Sequence, residues 1–228
     1  MDGQLLSATE RDTIVSTHLQ EHLPQAGLTE RAPRSWVDGS QAPVRRLFEI
    51  QLLKGAAMKA CWGWSLDFVP HISGGRVCWH RTDKTARLDI IIDPRGLPQP
   101  SFLRGAAGLA DALRRLLPEA MTRAVESWRR GATLQGMLDI IKDIRDQRTN
   151  AFYYDNYSQL PLAYAFLSAK TGDLKSADAE LDRYAVRFSL DDEETAKLHQ
   201  LARDYATPNE SLPTTPNDGV VVRPPDIA

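Results

Sequence analysis

The sequence predicts an α+β protein: an N-terminal helix with an antiparallel β-meander, followed by an all-helical C-terminal region. Three observations carry this. From Val44 to Ile92 apolar residues alternate with polar ones, the two-residue period of strands buried on one face. The prolines of "DPRGLPQP" mark a boundary near Pro94 to Pro100. Beyond it the spacing turns helical, most clearly in Leu134, Met137, Leu138, Ile141 and Ile144. The expected division is a sheet domain over 1–98, a helical domain over 99–206 and a disordered or extended tail over 207–228. The tail is proline-rich and has little to bury.

In chain order, Thr9 to Leu23 predicts a helix, because Ile14, Leu19 and Leu23 share a broad face and Pro24 stands just past its end. Arg34 to Asp38 suits a short strand between Pro33 and Gly39. Phe48, Ile50 and Leu52 then alternate with Glu49 and Gln51. Trp62, Trp64, Leu66 and Phe68 alternate with Gly63, Ser65 and Asp67. Val77 and Trp79 follow, then Leu88, Ile90 and Ile92. "ISGG" and "TDKT" supply the reversals between these runs. In the helical region Ser127 to Gly131 closes one helix and Thr149 to Ser158 is a linker. Asp191 with Glu194 forms an aspartate capping box before the last helix.

Composition narrows the function classes. With a net charge of −2 and 25 % charged residues, no global field attracts nucleic acid or an acidic membrane. Cys61 and Cys78 lack CxxC spacing, so thiols in a reducing compartment are expected rather than a disulfide framework. "MDGQLLSATERDTI" has no apolar core of a secretion signal, and no apolar run is long enough to span a bilayer. A cytoplasmic protein is expected. No motif implies a cofactor.

The reversals also predict a register. With Ser73-Gly74 as a turn centre, Phe68 faces Trp79 and Asp67 faces His80. With Asp83-Lys84 as the next, Trp79 faces Leu88 and His80 faces Arg87. A loop around Gly55 to Ala57 extends the scheme, setting Ile50 beside Trp62 and Arg45 beside Asp67. Phe48, Ile50, Trp62, Trp64, Leu66, Phe68, Trp79, Leu88 and Ile90 then form the core face. The opposite face carries the row Arg45, Asp67, His80, Arg87, flanked by Glu49, Cys78 and Asp89.

Two readings of that row follow. As a solvated face, its opposite charges across strands stabilise the sheet by about 1 kcal/mol or less per pair. As a site, a histidine beside a carboxylate is the arrangement of a general base. Asp67, His71, His80 and Asp89 also include ligand types for a divalent metal, although no HExxH, HxH or DxD spacing is present and none is assigned as a ligand. Neither Ser65, Cys61 nor Cys78 has the context of a catalytic nucleophile. "SGGR" is a turn rather than a phosphate cradle, because no helix starts after it. The leading expectation is a non-enzymatic binding or interaction protein with a protein partner, using Arg45, Asp67, His71, His80 and Arg87 or the groove between the two regions. The alternative is a metal-dependent hydrolase or nuclease using Asp67, His80 and Asp89, with Glu49 and His71 in support.

Two stretches resemble known families. "LDFVPH" followed by "WHRT" resembles an uncharacterised bacterial α+β family, domain of unknown function 4304, over roughly Thr9 to Asp93. The resemblance implies an N-terminal helix ahead of a small antiparallel sheet, with no activity or catalytic residue to carry over. "LPLAYAFLSAKTGDLKSADAELDRY", Leu160 to Tyr184, resembles one tetratricopeptide-type helical hairpin. It rests on Leu162, Ala163 and Leu167, the Gly172-Asp173 corner, and Ala177 with Leu181. Such repeats need about three copies to form an array and only one is found, so a plain antiparallel helix pair packing on its neighbours is the favoured reading of this stretch.

Overall fold

Ser7 sets the start of the first helix. Its hydroxyl accepts the Glu10 N–H while Glu10 accepts the Ser7 N–H, a reciprocal cap that begins α1 at Ala8–Gln20. The computed structural model describes residues 6–54, 57–73, 76–79, 81–92, 97, 105–146, 154 and 159–206. The proposed tail and most of the expected linker fall outside them, as does His80.

The strands are β1 (Thr29–Ala32), β2 (Ser35–Asp38), β3 (Val44–Leu53), β4 (Ala57–Leu66), β5 (His71–Ser73), β6 (Arg76–Cys78) and β7 (Ile90–Ile92). An antiparallel sheet runs in the order β1-β2-β3-β4-β7, and β5-β6 form a separate ribbon. The helices that follow are α2 (Gly105–Arg130), α3 (Leu134–Asp146), α4 (Gln159–Lys170), α5 (Leu174–Phe188) and α6 (Asp192–Tyr205). The expected class and element order hold. β1 is an addition that its polar "TERA" gives no reason to expect.

The predicted core face is largely real. Phe48, Ile50, Trp62, Trp64, Leu66, Phe68 and Ile90 are all buried in one cluster with α1 and α2. Phe48 lies directly opposite Trp62, and their rings stack at 6.2 Å. Helix α2 seats on this face through Trp128, whose indole N–H donates to the Gly63 carbonyl at 3.2 Å. It ends at Gly131 against the Trp64 ring, where a Cβ would lie 2.4 Å from Cζ2. The same cluster continues into α4, whose residues Leu160 to Ala169 are all buried. A helix apolar on every side belongs inside a layer of others, and α3, α5 and α6 surround it. Gln159 ties it to the sheet half by donating to the Pro70 carbonyl at 2.9 Å.

Two local signals in the helical half hold, the first as the N-cap half of the expected capping box. Asp191 accepts the Glu194 N–H at 2.8 Å and caps α6. Gly172, at φ 88°, turns the chain between α4 and α5, a left-handed conformation that favours glycine.

The register needs correction at three places. β3 and β4 pair Arg45 with Ser65 and Ile50 with Ala60, two residues from the expected partners. A two-residue slip keeps every side chain on its own face, so alternation cannot detect it. The stacked Phe48–Trp62 pair and Val44 opposite Leu66 are what the observed register gains. β5 and β6 are likewise offset by two, so His71 faces Cys78 and Ser73 faces Arg76.

The third correction is topological. Thr82 to Ala86 do not make a hairpin reversal. The Thr85 and Ala86 N–H groups both donate to the Thr82 carbonyl, and the Thr82 and Thr85 hydroxyls bond each other at 2.8 Å. That closed turn carries the chain back across the sheet, and Ile90–Ile92 pairs with β4 instead of β6. Trp79 therefore does not face Leu88. Trp79 is half-buried, and Leu88 packs with Val37, Leu47 and Ala86 on the opposite face from Ile90.

Candidate functional site

Much of the polar face is buried rather than solvated. Arg45 is 5 % exposed, and Ser65, Asp89 and Cys61 are fully buried. What covers one end of it is the segment from Arg81 to Asp89. Arg45 holds that segment in place: Nε donates to Asp83 Oδ1 at 2.7 Å, Nη2 donates to the Arg81 carbonyl at 3.0 Å, and Nη1 pairs with Asp67. Asp67 follows β4 and is fixed by its own N–H, which donates to the Pro43 carbonyl at 2.8 Å. The predicted Arg45–Asp67 ion pair thus exists, reached diagonally across the strands. Asp83 lies so close to the turn after β2 that a Cβ on Gly39 would sit 2.0 Å from its Oδ2.

The other described candidates make contacts of their own. Asp89 accepts the Leu66 N–H at 2.7 Å, and its own N–H donates to the Trp64 carbonyl at 2.8 Å. This carboxylate locks the end of β4 to the start of β7. His71 is half-buried and directly opposite Cys78 on the β5-β6 ribbon. No disulfide joins Cys61 to Cys78. Arg87 is exposed; its N–H donates to Ser65 Oγ at 3.3 Å. Burial pushes the Tyr184 hydroxyl up to about 12, against the opposing pull of the Arg87 charge. Glu49 is taken up at the other end of the face, where Arg31 and Ser35 donate to its Oε1 at 3.0 and 3.1 Å. Among the described residues, no three His, Cys, Asp or Glu side chains form a group suited to a metal ion.

Three constellations escape sequence reasoning. In the first, His199 of α6 stands between Asp178 and Asp182 of α5, Nδ1 at 2.6 Å from one carboxylate and Nε2 at 3.0 Å from the other. The hydrogen bond from His199, aided by Arg203, holds the Asp178 carboxyl below the usual carboxylate range. A lowered value stabilises the fold above the unfolded carboxylate value, about 3.9, and that contribution disappears as pH falls through the folded one. Asp178→Asn should therefore cost about 1 kcal/mol or less at neutral pH and flatten the acid limb of stability against pH, measured by urea melts. An unchanged acid limb would remove Asp178 from the account.

In the second, Tyr154 donates to buried Glu180 at 2.9 Å, and Arg183 takes the other carboxylate oxygen at 3.1 Å. Burial, reinforced by that carboxylate, drives the phenol strongly upward. This is a neutral donor holding a buried acceptor, a structural duty.

The third lies on the seam between the sheet half and the helices. Arg81 lies over the Trp79 ring at 3.8 Å, donates Nε to the Asp67 carbonyl at 3.0 Å, and bonds the Tyr205 hydroxyl through Nη2. Trp79 meets Tyr205 edge-on at 6.0 Å. Lys170 Nζ stands 5.1 Å from the Phe68 ring and 5.9 Å from that of Tyr205. Arg81 is exposed, and Trp79, Lys170 and Tyr205 are half-buried.

No protein-family model, curated protein or solved structure matches this chain, so no family assigns a role to any of these residues. No helix among the described residues is long and apolar enough to cross a membrane.

Proposed function

We propose that the chain is a non-enzymatic, cytoplasmic binding protein whose partner is a protein, and that the seam around Trp79, Arg81, Lys170 and Tyr205 is its contact surface. The observation that carries this reading is the contrast between the two polar regions. Arg45 and Asp67 are engaged in pinning the segment above them, and Asp89 Oδ2 joins two strands. The seam instead offers an exposed guanidinium and half-buried aromatic rings, the residue types enriched where proteins meet.

The test is affinity capture from an extract of the protein's own cell, with the full chain and its Trp79→Ala variant immobilised in parallel. One protein should be retained stoichiometrically by the first and lost from the second. Retention that ignores Trp79→Ala would move the contact surface elsewhere. Retention of no protein, together with an Asp67-dependent hydrolysis, would replace the reading with the metal-dependent hydrolase.

A further inference from the structure

We infer that the seam recognises a carboxylate on an acidic peptide segment of the partner, held by Arg81, Lys170 and the Tyr205 hydroxyl; this deepens the binding reading above and rests on it. Neither Arg81 nor Lys170 has a carboxylate within ion-pair distance among the described residues. Among the described residues, Arg81 is met by a carbonyl, a hydroxyl and the Trp79 face, and Lys170 by the Phe68 and Tyr205 rings. These contacts orient the two cations without cancelling their charge. The Tyr205 oxygen accepts from Arg81, so its own proton remains to be donated. Two positive charges and one hydroxyl donor are thus gathered around a single ring.

Charge and helix direction select the anion. Lys170 and Tyr205 are the last residues of α4 and α6, and a helix C-terminus carries partial negative charge. Two such ends disfavour any anion, and a phosphate, with nearly twice the charge, more than a carboxylate, so the attraction comes from Arg81 and Lys170 and the helix ends set only the preference between the two. Phosphate sites use the opposite end of a helix. The aromatic edges of Trp79 and Tyr205 beside the cations suit a peptide in which acidic residues alternate with aromatic ones.

Fluorescence anisotropy with the full chain tests this, using a short dye-labelled peptide alternating Glu with Phe, its Gln counterpart and its phosphoserine counterpart. The Glu peptide should bind at least about tenfold more tightly than the Gln peptide, lose about that factor in Lys170→Gln, and weaken as salt rises. Lys170 is half-buried with no hydrogen bond or ion pair among the described residues, so this variant should lose only its cation–ring and helix-end contacts and remain folded, with a small drop in melting temperature that a thermal melt records. Equal binding of Glu and Gln peptides, no binding of the Glu peptide, or indifference to Lys170→Gln overturns the inference. Clear preference for phosphoserine replaces the carboxylate with phosphate. A captured partner lost by Trp79→Ala but retained by Lys170→Gln sinks this inference alone and leaves the binding reading in place.

Discussion

Trp62→Ala should lower the unfolding free energy by about 3–5 kcal/mol, the cost of deleting a large aromatic from a packed core. Trp62 is 1 % exposed, lies against Phe48 on the neighbouring strand, and faces the layer formed by α1 and α2. Its removal leaves a void that the sheet cannot close, because β3 and β7 hold it from both sides. Trp79→Ala should cost only about 1–2 kcal/mol, for lost edge and cation contacts on a half-buried ring. Urea melts of the two variants measure the difference. Equal losses would mean that Trp79 belongs to the core as the alternation alone suggests.

Arg45→Met should cost about 3 kcal/mol, and for a different reason. Methionine fills much of the space, but a buried charge pair loses its cation, and the Arg81 carbonyl loses a donor. Asp83 is about half exposed and rehydrates; Asp67, at 16 %, does so poorly. The loss should be local as well as global. Amide exchange over Arg81 to Asp89 should speed up more than exchange over β3 and β4, because Arg45 is what fastens that segment. A stability within about 0.5 kcal/mol of wild type would mark the network as an ordinary surface pair.

How much of this was legible in the sequence depends on the range of the signal. Alternation over Val44 to Leu66 fixes which side chains share a face, because that follows from strand geometry alone. The Asp191 cap was legible for the same reason: donor and acceptor lie three residues apart. Register was not, since a shift of two leaves the pattern intact and only the fit of Phe48 on Trp62 decides it. "TDKT" reads as a tight reversal, whereas its two threonines close a turn that sends Leu88 to the other face. The Arg45–Asp67 pair was anticipated, but not the burial that turns it from a wet ladder into a fastening.

The seam was beyond reach. Arg81 and Tyr205 are 124 residues apart, and each looks unremarkable in its own segment. His199 illustrates a partial signal. Asp178 and Asp182, four apart, share one helix face, yet nothing in the sequence says that His199 of the next helix will lie between them.

The central claim is that Arg45 and Asp67, open in the sequence to reading as part of a reaction centre, fasten the fold, while the proposed recognition surface is the seam. Thermal melts of the wild type and Asp67→Asn, each with zinc, with manganese and with EDTA, test it most directly. The account predicts a lower melting temperature for Asp67→Asn and curves that do not move with metal in either protein. A ligand that binds only the folded state adds about 2.7 kcal/mol at a hundredfold excess over its dissociation constant. A stabilisation of that order in the wild type, abolished in Asp67→Asn, would contradict the account and make Asp67 a metal ligand.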